Sequence, residues 1–417
     1  MDNDLLSSNI TSHEIDNETL CEDINYEELA LVLQGGGALG AYQAGVYEAL
    51  AKNNIDPTWI VGISIGALNT AIIAGNPPEK RVAQLTGFWE TICSSPHFSF
   101  DILHPFTFLL NTHTRKAING FEANKTMLNG QKGFFMPKFK NLMPLNKFHK
   151  STPDKLSYYD TSRLKETLLK FADFDLINNG SVRVSLGVVN VQSGQFSYFD
   201  NTTEILTPEH FMASGALPPA FPAVEIDGQF YWDGGIVNNT PVLKIIEENT
   251  KKNTFVLQVD LWNPEGNLPQ TFDDITERAK DIQFSSRTNI VNETILAKEQ
   301  QHEMLKELLR HIPEDIRKDN VWCQKATEIT QKGQLKVVHL IYQNKEYEGA
   351  SKDYEFSQQT MKDHWTSGIN DIEKILKNTY IPQVSHRTPT HLKSFVPNTD
   401  NVRDNDNQQI NSNTCKV

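Results

Sequence analysis

Two apolar runs early in the chain, residues 29–33 (Leu-Ala-Leu-Val-Leu) and 59–63 (Trp-Ile-Val-Gly-Ile), are unbroken by polar positions. A strand covered on one face alternates apolar with polar. A strand covered on both faces does not, so each run predicts a central strand of a parallel sheet. Between them Ala44, Val46, Tyr47, Ala49 and Leu50 recur at helical spacing within residues 41–52, and a further helix is predicted over residues 67–74. Strand, glycine turn, helix, strand, serine turn, helix is the order of an α/β fold, and a right-handed crossover sets both turns at one carboxyl edge of the sheet. Later, residues 230–233 (Phe-Tyr-Trp-Asp) read as an aromatic strand, residues 289–312 as a helix and residues 335–342 as a strand.

The turns carry the candidate chemistry. In residues 35–40 (Gly-Gly-Gly-Ala-Leu-Gly), Gly36 and Gly37 allow dihedrals that a side chain forbids. Their N–H groups can point at an anion beside the positive end of the next helix. Residues 62–66 (Gly-Ile-Ser-Ile-Gly) have the Gly-x-Ser-x-Gly form of a nucleophile elbow: Gly62 and Gly66 relieve crowding at a sharp strand-to-helix turn, and Ser64 stands clear of the backbone. Gly35, Gly37 and Gly40 also satisfy a dinucleotide fingerprint. That use needs an acid at the end of the second strand to hold the ribose, and Ile63-Ser64-Ile65 occupies the place. A serine nucleophile needs a base. The aromatic strand ends in Asp233, and Gly234 and Gly235 make a turn that presents its carboxylate, although Asp-Gly is also an ordinary turn signal.

Taken with residues 213–222 (Ala-Ser-Gly-Ala-Leu-Pro-Pro-Ala-Phe-Pro) and 233–241 (Asp-Gly-Gly-Ile-Val-Asn-Asn-Thr-Pro), these motifs resemble the patatin-like phospholipase family over about residues 29–241. Residues 159–164 (Tyr-Asp-Thr-Ser-Arg-Leu) are also family-like. The resemblance implies a three-layer α/β fold with a central, mostly parallel sheet flanked by helices. It implies a lipid acyl hydrolase of phospholipase A or lysophospholipase type, working through a Ser–Asp dyad and an acyl-serine, with no cofactor and no metal. Carried over by motif, Ser64 is the nucleophile, Asp233 the proton acceptor, and Gly35, Gly36, Gly37 and Ala38 the oxyanion loop. Gly40, Gly62, Gly66, Gly234 and Gly235 are the remaining motif glycines. Many members carry a basic residue within the glycine loop; here Ala38 and Leu39 stand there, which leaves an oxyanion to backbone donors. Past residue 241 the chain resembles the longer bacterial members with an added C-terminal helical or mixed region, including a segment at residues 351–357 (Ser-Lys-Asp-Tyr-Glu-Phe-Ser) to which the motifs assign no role.

Other readings share these residues. A Ser–Asp–His triad has 12 histidines to draw on: His210 is nearest Asp233 in sequence and His302, His311, His339 and His364 come later, none in a turn that argues for catalysis. An esterase, thioesterase or neutral-lipid lipase of the same fold, or a catalytically silent membrane-associated scaffold, also fits.

Charge adds a candidate surface. Residues 115–150 hold eight cations (Arg115, Lys116, Lys125, Lys132, Lys138, Lys140, Lys147 and Lys150) against one acid, Glu122, in a chain of net charge −13. Nine phenylalanines (Phe98, Phe100, Phe106, Phe108, Phe121, Phe134, Phe135, Phe139 and Phe148) lie in and just before this stretch. Rings and cations together suit an anionic lipid interface, each surface cation adding about 1 kcal/mol. Equally, the rings can pack an acyl pocket while the lysines coat a loop. Residues 96–150 are therefore expected to form a lid or interfacial insertion in a catalytic domain of residues 28–245, followed by an extension packed on it (246–384). Disordered tails are expected at 1–27 and 385–417. Residues 1–28 hold nine acids and no Lys or Arg, unlike a secretory signal, and no run is long and apolar enough to span a bilayer. Four cysteines without metal spacing fit a reducing compartment. A cytoplasmic or peripherally membrane-bound protein is expected, with a lipid substrate and no nucleic-acid partner. The pattern specifies no oligomeric state.

Overall fold

The computed structural model describes residues 25–93, 111–138, 150–248, 251–285, 288–331 and 333–384. The two apolar runs form β1 (Glu28–Leu33) and β2 (Trp59–Gly62), joined through α1 (Ala41–Lys52) and followed by α2 (Ile65–Ala74) and α3 (Pro78–Ile92). They pair in parallel, Ala30 opposite Trp59 and Leu33 opposite Gly62. α2 begins two residues earlier than its pattern indicates, directly after Ser64.

A helix α4 (Thr112–Asn129) and a small antiparallel pair, β3 (Met136–Pro137) with β4 (Tyr159–Asp160), lie outside the main sheet. β5 (Arg183–Asn190) lies parallel to β2, and β6 (Phe196–Asp200) runs back along β5. After α5 (Pro208–Ser214) come the hairpin β7 (Val224–Ile226) and β8 (Gln229–Asp233), and α6 (Val242–Glu248). β9 (Thr254–Asp260) pairs in parallel with β1, and β10 (Leu335–Ile341) with β9. Between them stands α7 (Phe272–Phe284); α8 (Gln358–Asn378) closes the described chain. The main sheet runs β10-β9-β1-β2-β5-β8-β7, with β6 also on β5. It is the expected α/β architecture, mostly parallel, with helices on both faces.

Coverage of both faces explains the unbroken apolar runs. Leu29, Leu31 and Leu33 join one core with Leu257, Val259 and residues of α1 and α2, while Ala30 and Val32 join a second with Trp59, Val61, Val256 and residues of α6. Because β9 lies directly beside β1, the sheet continues past residue 246, and the division expected at 245/246 cuts through it.

α8 packs along α1 at close range. A Cβ on Gly45 would collide with the carbonyl of Trp365, and one on Gly368 with the carbonyl of Tyr42, so each helix offers a glycine to the other's backbone. Tyr42 donates to Asp371 (3.1 Å), and the Trp365 indole N–H donates to Glu48 (2.5 Å). Gly45→Ala is expected to force the helices apart and lower stability by about 1–3 kcal/mol, the range for overpacking. Thermal and urea melts would measure the loss, and an unchanged melt would mean the crossing is loose.

Part of the basic stretch is neutralised inside the molecule. Arg115 pairs with Asp363 and lies over the Tyr347 ring. Lys116 sits among Asp273, Asp274 and Glu277 at 3.5–3.6 Å. Lys125 pairs with Glu122, and Lys138 donates to Ser157. Lys132 and Lys150 are exposed. The acids that balance Arg115 and Lys116 lie well over a hundred residues away in sequence, so a local charge sum could not register them. Of the phenylalanines, Phe121 is exposed and Phe134 and Phe135 are buried. Lys140, Lys147, Phe98, Phe100, Phe106, Phe108, Phe139 and Phe148 lie outside the described residues, as do the tails apart from residues 25–27. No helix among the described residues is long and apolar enough to cross a membrane.

Candidate active site

β5 explains how two motifs distant in sequence meet. β6 occupies one edge of β5 along residues 185–189, so β2, which pairs residues 183–186, and β8, which pairs residues 188–190, must share the other edge end to end. β2 runs with β5 and β8 runs against it, so their carboxyl ends approach each other beside Gly187. A Cβ at Gly187 would press on Ile63, and one at Gly234 would meet the Gly187 carbonyl at 2.6 Å. The two turns that leave these ends carry Ser64 and Asp233.

Ser64 has φ 56° and ψ −125°, a conformation that residues other than glycine rarely adopt and that costs about 1–3 kcal/mol. Its N–H donates to the carbonyl (3.1 Å) and hydroxyl oxygen (3.2 Å) of Ser214, whose own hydroxyl donates to the Gly187 carbonyl at 2.8 Å. The flanking glycines are steric necessities. A Cβ on Gly66 would collide with the Leu33 carbonyl, and one on Gly62 would lie 2.7 Å from the Gly66 carbonyl.

Asp233 is 2% exposed. Its N–H donates to Ala216, and its Oδ1 accepts from the Gly235 N–H at 2.7 Å. Burial drives the carboxyl pKa up to about 7, against the lowering influence of the Gly235 N–H and the Ser64 hydroxyl. A carboxylate with that pKa is a far better base than one in water, and it stands within hydrogen-bonding influence of the serine.

The glycine loop lies across from the pair. Gly35 borders both Asn239 and Ser64, since a Cβ there would lie 3.0 Å from Ser64 Cβ. The Gly35 carbonyl is held by two donors, Asn239 Nδ2 (3.0 Å) and the Trp262 indole N–H (2.8 Å). Among the described residues, the amides of Gly35, Gly36, Gly37 and Ala38 donate to no acceptor within the protein. Ala38 is buried, and Gly40 packs against Ile65 and Trp89. Gln34, fully buried, anchors the loop from behind: its side chain donates to Thr240 and Phe284 and accepts from the N–H groups of Leu261 and Trp262.

Gly35, Gly36, Gly37, Ser64, Asp233 and Gly235 open onto one pocket. Its walls are mainly apolar: Leu68, Phe134, Phe135, Leu217 and Phe221 on one part, and Trp262, Phe284, Tyr354 and Phe356 from beyond residue 246 on another. Phe134, Phe135 and Phe221 contact one another edge-on or tilted at 5.2–5.7 Å, and Phe356 meets Phe134 at 5.8 Å. For Phe134 and Phe135, then, pocket packing is the outcome. The motifs missed Gln34, Asn239 and the whole C-terminal wall. Asn239 lies in the Asp-Gly-Gly stretch and residues 351–357 in the added C-terminal region, but neither signal assigns a contact.

No histidine among the described residues lines the pocket. His210 accepts from the Thr207 N–H in a helix cap, its ring edge-on to Phe199 and its pKa lowered by burial. His302 and His311 contact backbone carbonyls, His339 lies 3.8 Å from Asp260, and His364 is buried 2.7 Å from Glu348. What the arrangement offers is a strained serine, a buried carboxyl titrating near neutrality, a row of free amides and an aromatic cleft.

A family model described as patatin-like phospholipase matches residues 31–246, and another described as patatin phospholipase matches residues 282–388. The chain is 20% identical over 269 residues to lysophospholipase NTE1 of Debaryomyces hansenii and 21% identical over 276 residues to lysophospholipase NTE1 of Scheffersomyces stipitis. Each comparison takes in 64% of this chain and 14% of the relative, so the chain spans a small part of those proteins' length. Among solved structures, VipD from Legionella pneumophila is similar over 84% of this chain and 67% of its own, with 14% identity and a TM-score of 0.33.

Proposed function

The chain belongs to the patatin-like phospholipase family, and from that premise we propose that it is a lipid acyl hydrolase of phospholipase A or lysophospholipase type, with Ser64 as nucleophile and Asp233 as its base. The observation that carries the reading is the buried carboxyl of Asp233, held near neutrality beside a strained serine at an aromatic pocket.

The ester carbonyl enters between Ser64 and the glycine loop. As Ser64 Oγ attacks, its proton passes to the Asp233 carboxylate, and the negative charge that develops on the carbonyl oxygen is met by the amides of residues 35–38. Collapse of the tetrahedral species breaks the ester bond, and the leaving alcohol takes the proton from Asp233. Asp233 then accepts a proton from water, which attacks the acyl-serine; as the acyl–oxygen bond to Ser64 breaks and the fatty acid leaves, Asp233 returns that proton to Ser64 Oγ. The pocket's aromatic walls hold the acyl chain and exclude water, which keeps the Asp233 pKa raised.

Fatty-acid release from phosphatidylcholine vesicles, lysophosphatidylcholine, triacylglycerol emulsion and a soluble short-chain ester tests the substrate class. Release from the two phospholipids above the other substrates is the expected result. Preference for the soluble ester or for triacylglycerol would replace the reading with an esterase or neutral-lipid lipase. Failure of a fluorophosphonate to label the wild-type serine would favour a silent scaffold.

A further inference from the structure

α7 carries Lys280 and Asp281 side by side, and the short turn Lys352–Tyr354 carries Lys352 and Asp353 side by side. The two dipeptides meet with their charges crossed. Lys280 Nζ lies 2.8 and 3.1 Å from the Asp353 carboxylate oxygens, and Lys352 Nζ lies 2.7 Å from Asp281 Oδ1. Lys352 and Asp281 are each 4% exposed. Asp281 Oδ2 accepts from Asn344 at 3.0 Å, and Glu277 stands 3.9 Å from the Lys352 ammonium. Apolar side chains could join the same segments without taking charges out of water, so a buried pair of this kind serves orientation better than it serves strength.

Two contacts lead from this clamp to the glycine loop. The Lys352 ammonium sits 5.2 Å over the ring of Trp262, whose indole N–H holds the Gly35 carbonyl, and Phe284 at the end of α7 lies against the same ring at 5.3 Å. The Asp353 carbonyl closes on Gly37 and leaves no room there for a Cβ. Gly37 has φ +57°, and nothing in a glycine's own sterics fixes that angle. The direction of the amides around it must come from its neighbours.

On the reading that Ser64 and residues 35–38 carry out acyl transfer, we propose that Lys280, Asp281, Lys352 and Asp353 are positioning residues. Their crossed clamp sets the aim of the oxyanion-loop amides through Trp262 and the Asp353 carbonyl. The region matched at residues 282–388 thereby contributes to the reaction as well as to the pocket wall.

The test uses the full chain and the variants Lys352→Met, Asp281→Asn and Lys280→Met, the last at a partly exposed position where folding is not at stake. Each is measured for kcat and KM on a soluble ester, for inhibition by a trifluoromethyl ketone, and for thermal stability. The ketone adds to the serine and leaves an oxyanion in the loop, so it reports the amides directly. Lys352→Met should lower kcat about 10- to 100-fold, as small misplacements of catalytic groups do, with KM little changed. The ketone should weaken by the same factor, because misaimed amides affect the transition state and its mimic alike. Lys280→Met should move both in the same direction by less, and Lys280→Asp combined with Asp353→Lys should recover activity that either change alone loses. Unchanged kcat, a kcat that falls while ketone affinity holds, or a loss that tracks the unfolded fraction would each overturn the clamp. A wild type whose fluorophosphonate labelling survives Ser64→Ala would sink the underlying assignment, and the clamp with it.

Discussion

Ser64→Ala is expected to reduce ester hydrolysis roughly 10⁴- to 10⁶-fold, to the residue left by binding and the oxyanion loop, while the protein stays folded. No hydroxyl among the pocket-lining residues sits at the elbow in its place. Fluorophosphonate labelling should vanish in parallel. The elbow also predicts a stability difference between two equally inactive variants. Ser64 lies at φ 56° and ψ −125°, a conformation alanine tolerates no better than serine and glycine tolerates freely. Ser64→Gly should therefore melt higher than Ser64→Ala by an amount worth about 1–2 kcal/mol. Residual hydrolysis near the wild-type rate in either variant would remove Ser64 from the mechanism. Equal melting of the two would mean the elbow relaxes and stores no strain.

Asp233→Asn should be as damaging to turnover and should stabilise the protein. Both effects come from one buried carboxyl. On the proposed mechanism the ionised form is the base, and its pKa is raised to about 7, so wild-type kcat/KM should climb with pH and level off above an apparent pKa near 7. Asn keeps an acceptor for the Gly235 N–H but accepts no proton, so the variant should lie near background at every pH. For stability, the folded pKa lies above the ordinary carboxyl value of 3.8. The folded chain therefore holds the proton more tightly than the unfolded chain between about pH 4 and 7, and the wild type loses stability as pH rises through that window. At about 1.4 kcal/mol per pKa unit the loss amounts to roughly 4 kcal/mol by pH 8. Asn is neutral throughout, so the variant should match the wild type near pH 4 and exceed it by up to that amount at pH 8. Urea unfolding at the two pH values measures the difference. A variant no more stable at pH 8 than at pH 4, relative to wild type, would show that Asp233 titrates as an ordinary carboxylate, and a pH–rate profile flat from pH 5 to 8 would say the same of catalysis. Activity retained in the variant would reopen a histidine mechanism, for which the pocket offers no candidate among the described residues.

Much of this was legible in the chain. The runs at residues 29–33 and 59–63 identified β1 and β2 because burial on both faces leaves no position for a polar residue, and that is a local property. Gly62, Ser64 and Gly66 were legible for the same reason: the turn is so tight that its own backbone dictates which residues fit, as the collisions at both glycines illustrate. The start of α2 was misplaced by two residues because Ile65 and Gly66 belong to the turn by pattern and to the helix by hydrogen bonding.

The sequence by itself determined what short-range sterics and burial periodicity determine: the α/β order, the elbow, the glycine loop and an Asp at a strand end. The tertiary structure decided everything that depends on which distant segments touch. Asp233 comes to lie beside Ser64 only because β2 and β8 share one edge of β5. Its pKa is raised only because other elements bury it. Arg115 and Lys116 lose their apparent charge to Asp363, Asp273, Asp274 and Glu277. The segment at residues 351–357, silent in the sequence, gains its place because β9 joins β1 and carries the later chain back over the glycine loop. Electrostatic and packing energies fall off over a few ångströms of space and take no account of distance along the chain. Local pattern therefore pointed to the motif residues, and only the fold decided what surrounds and positions them.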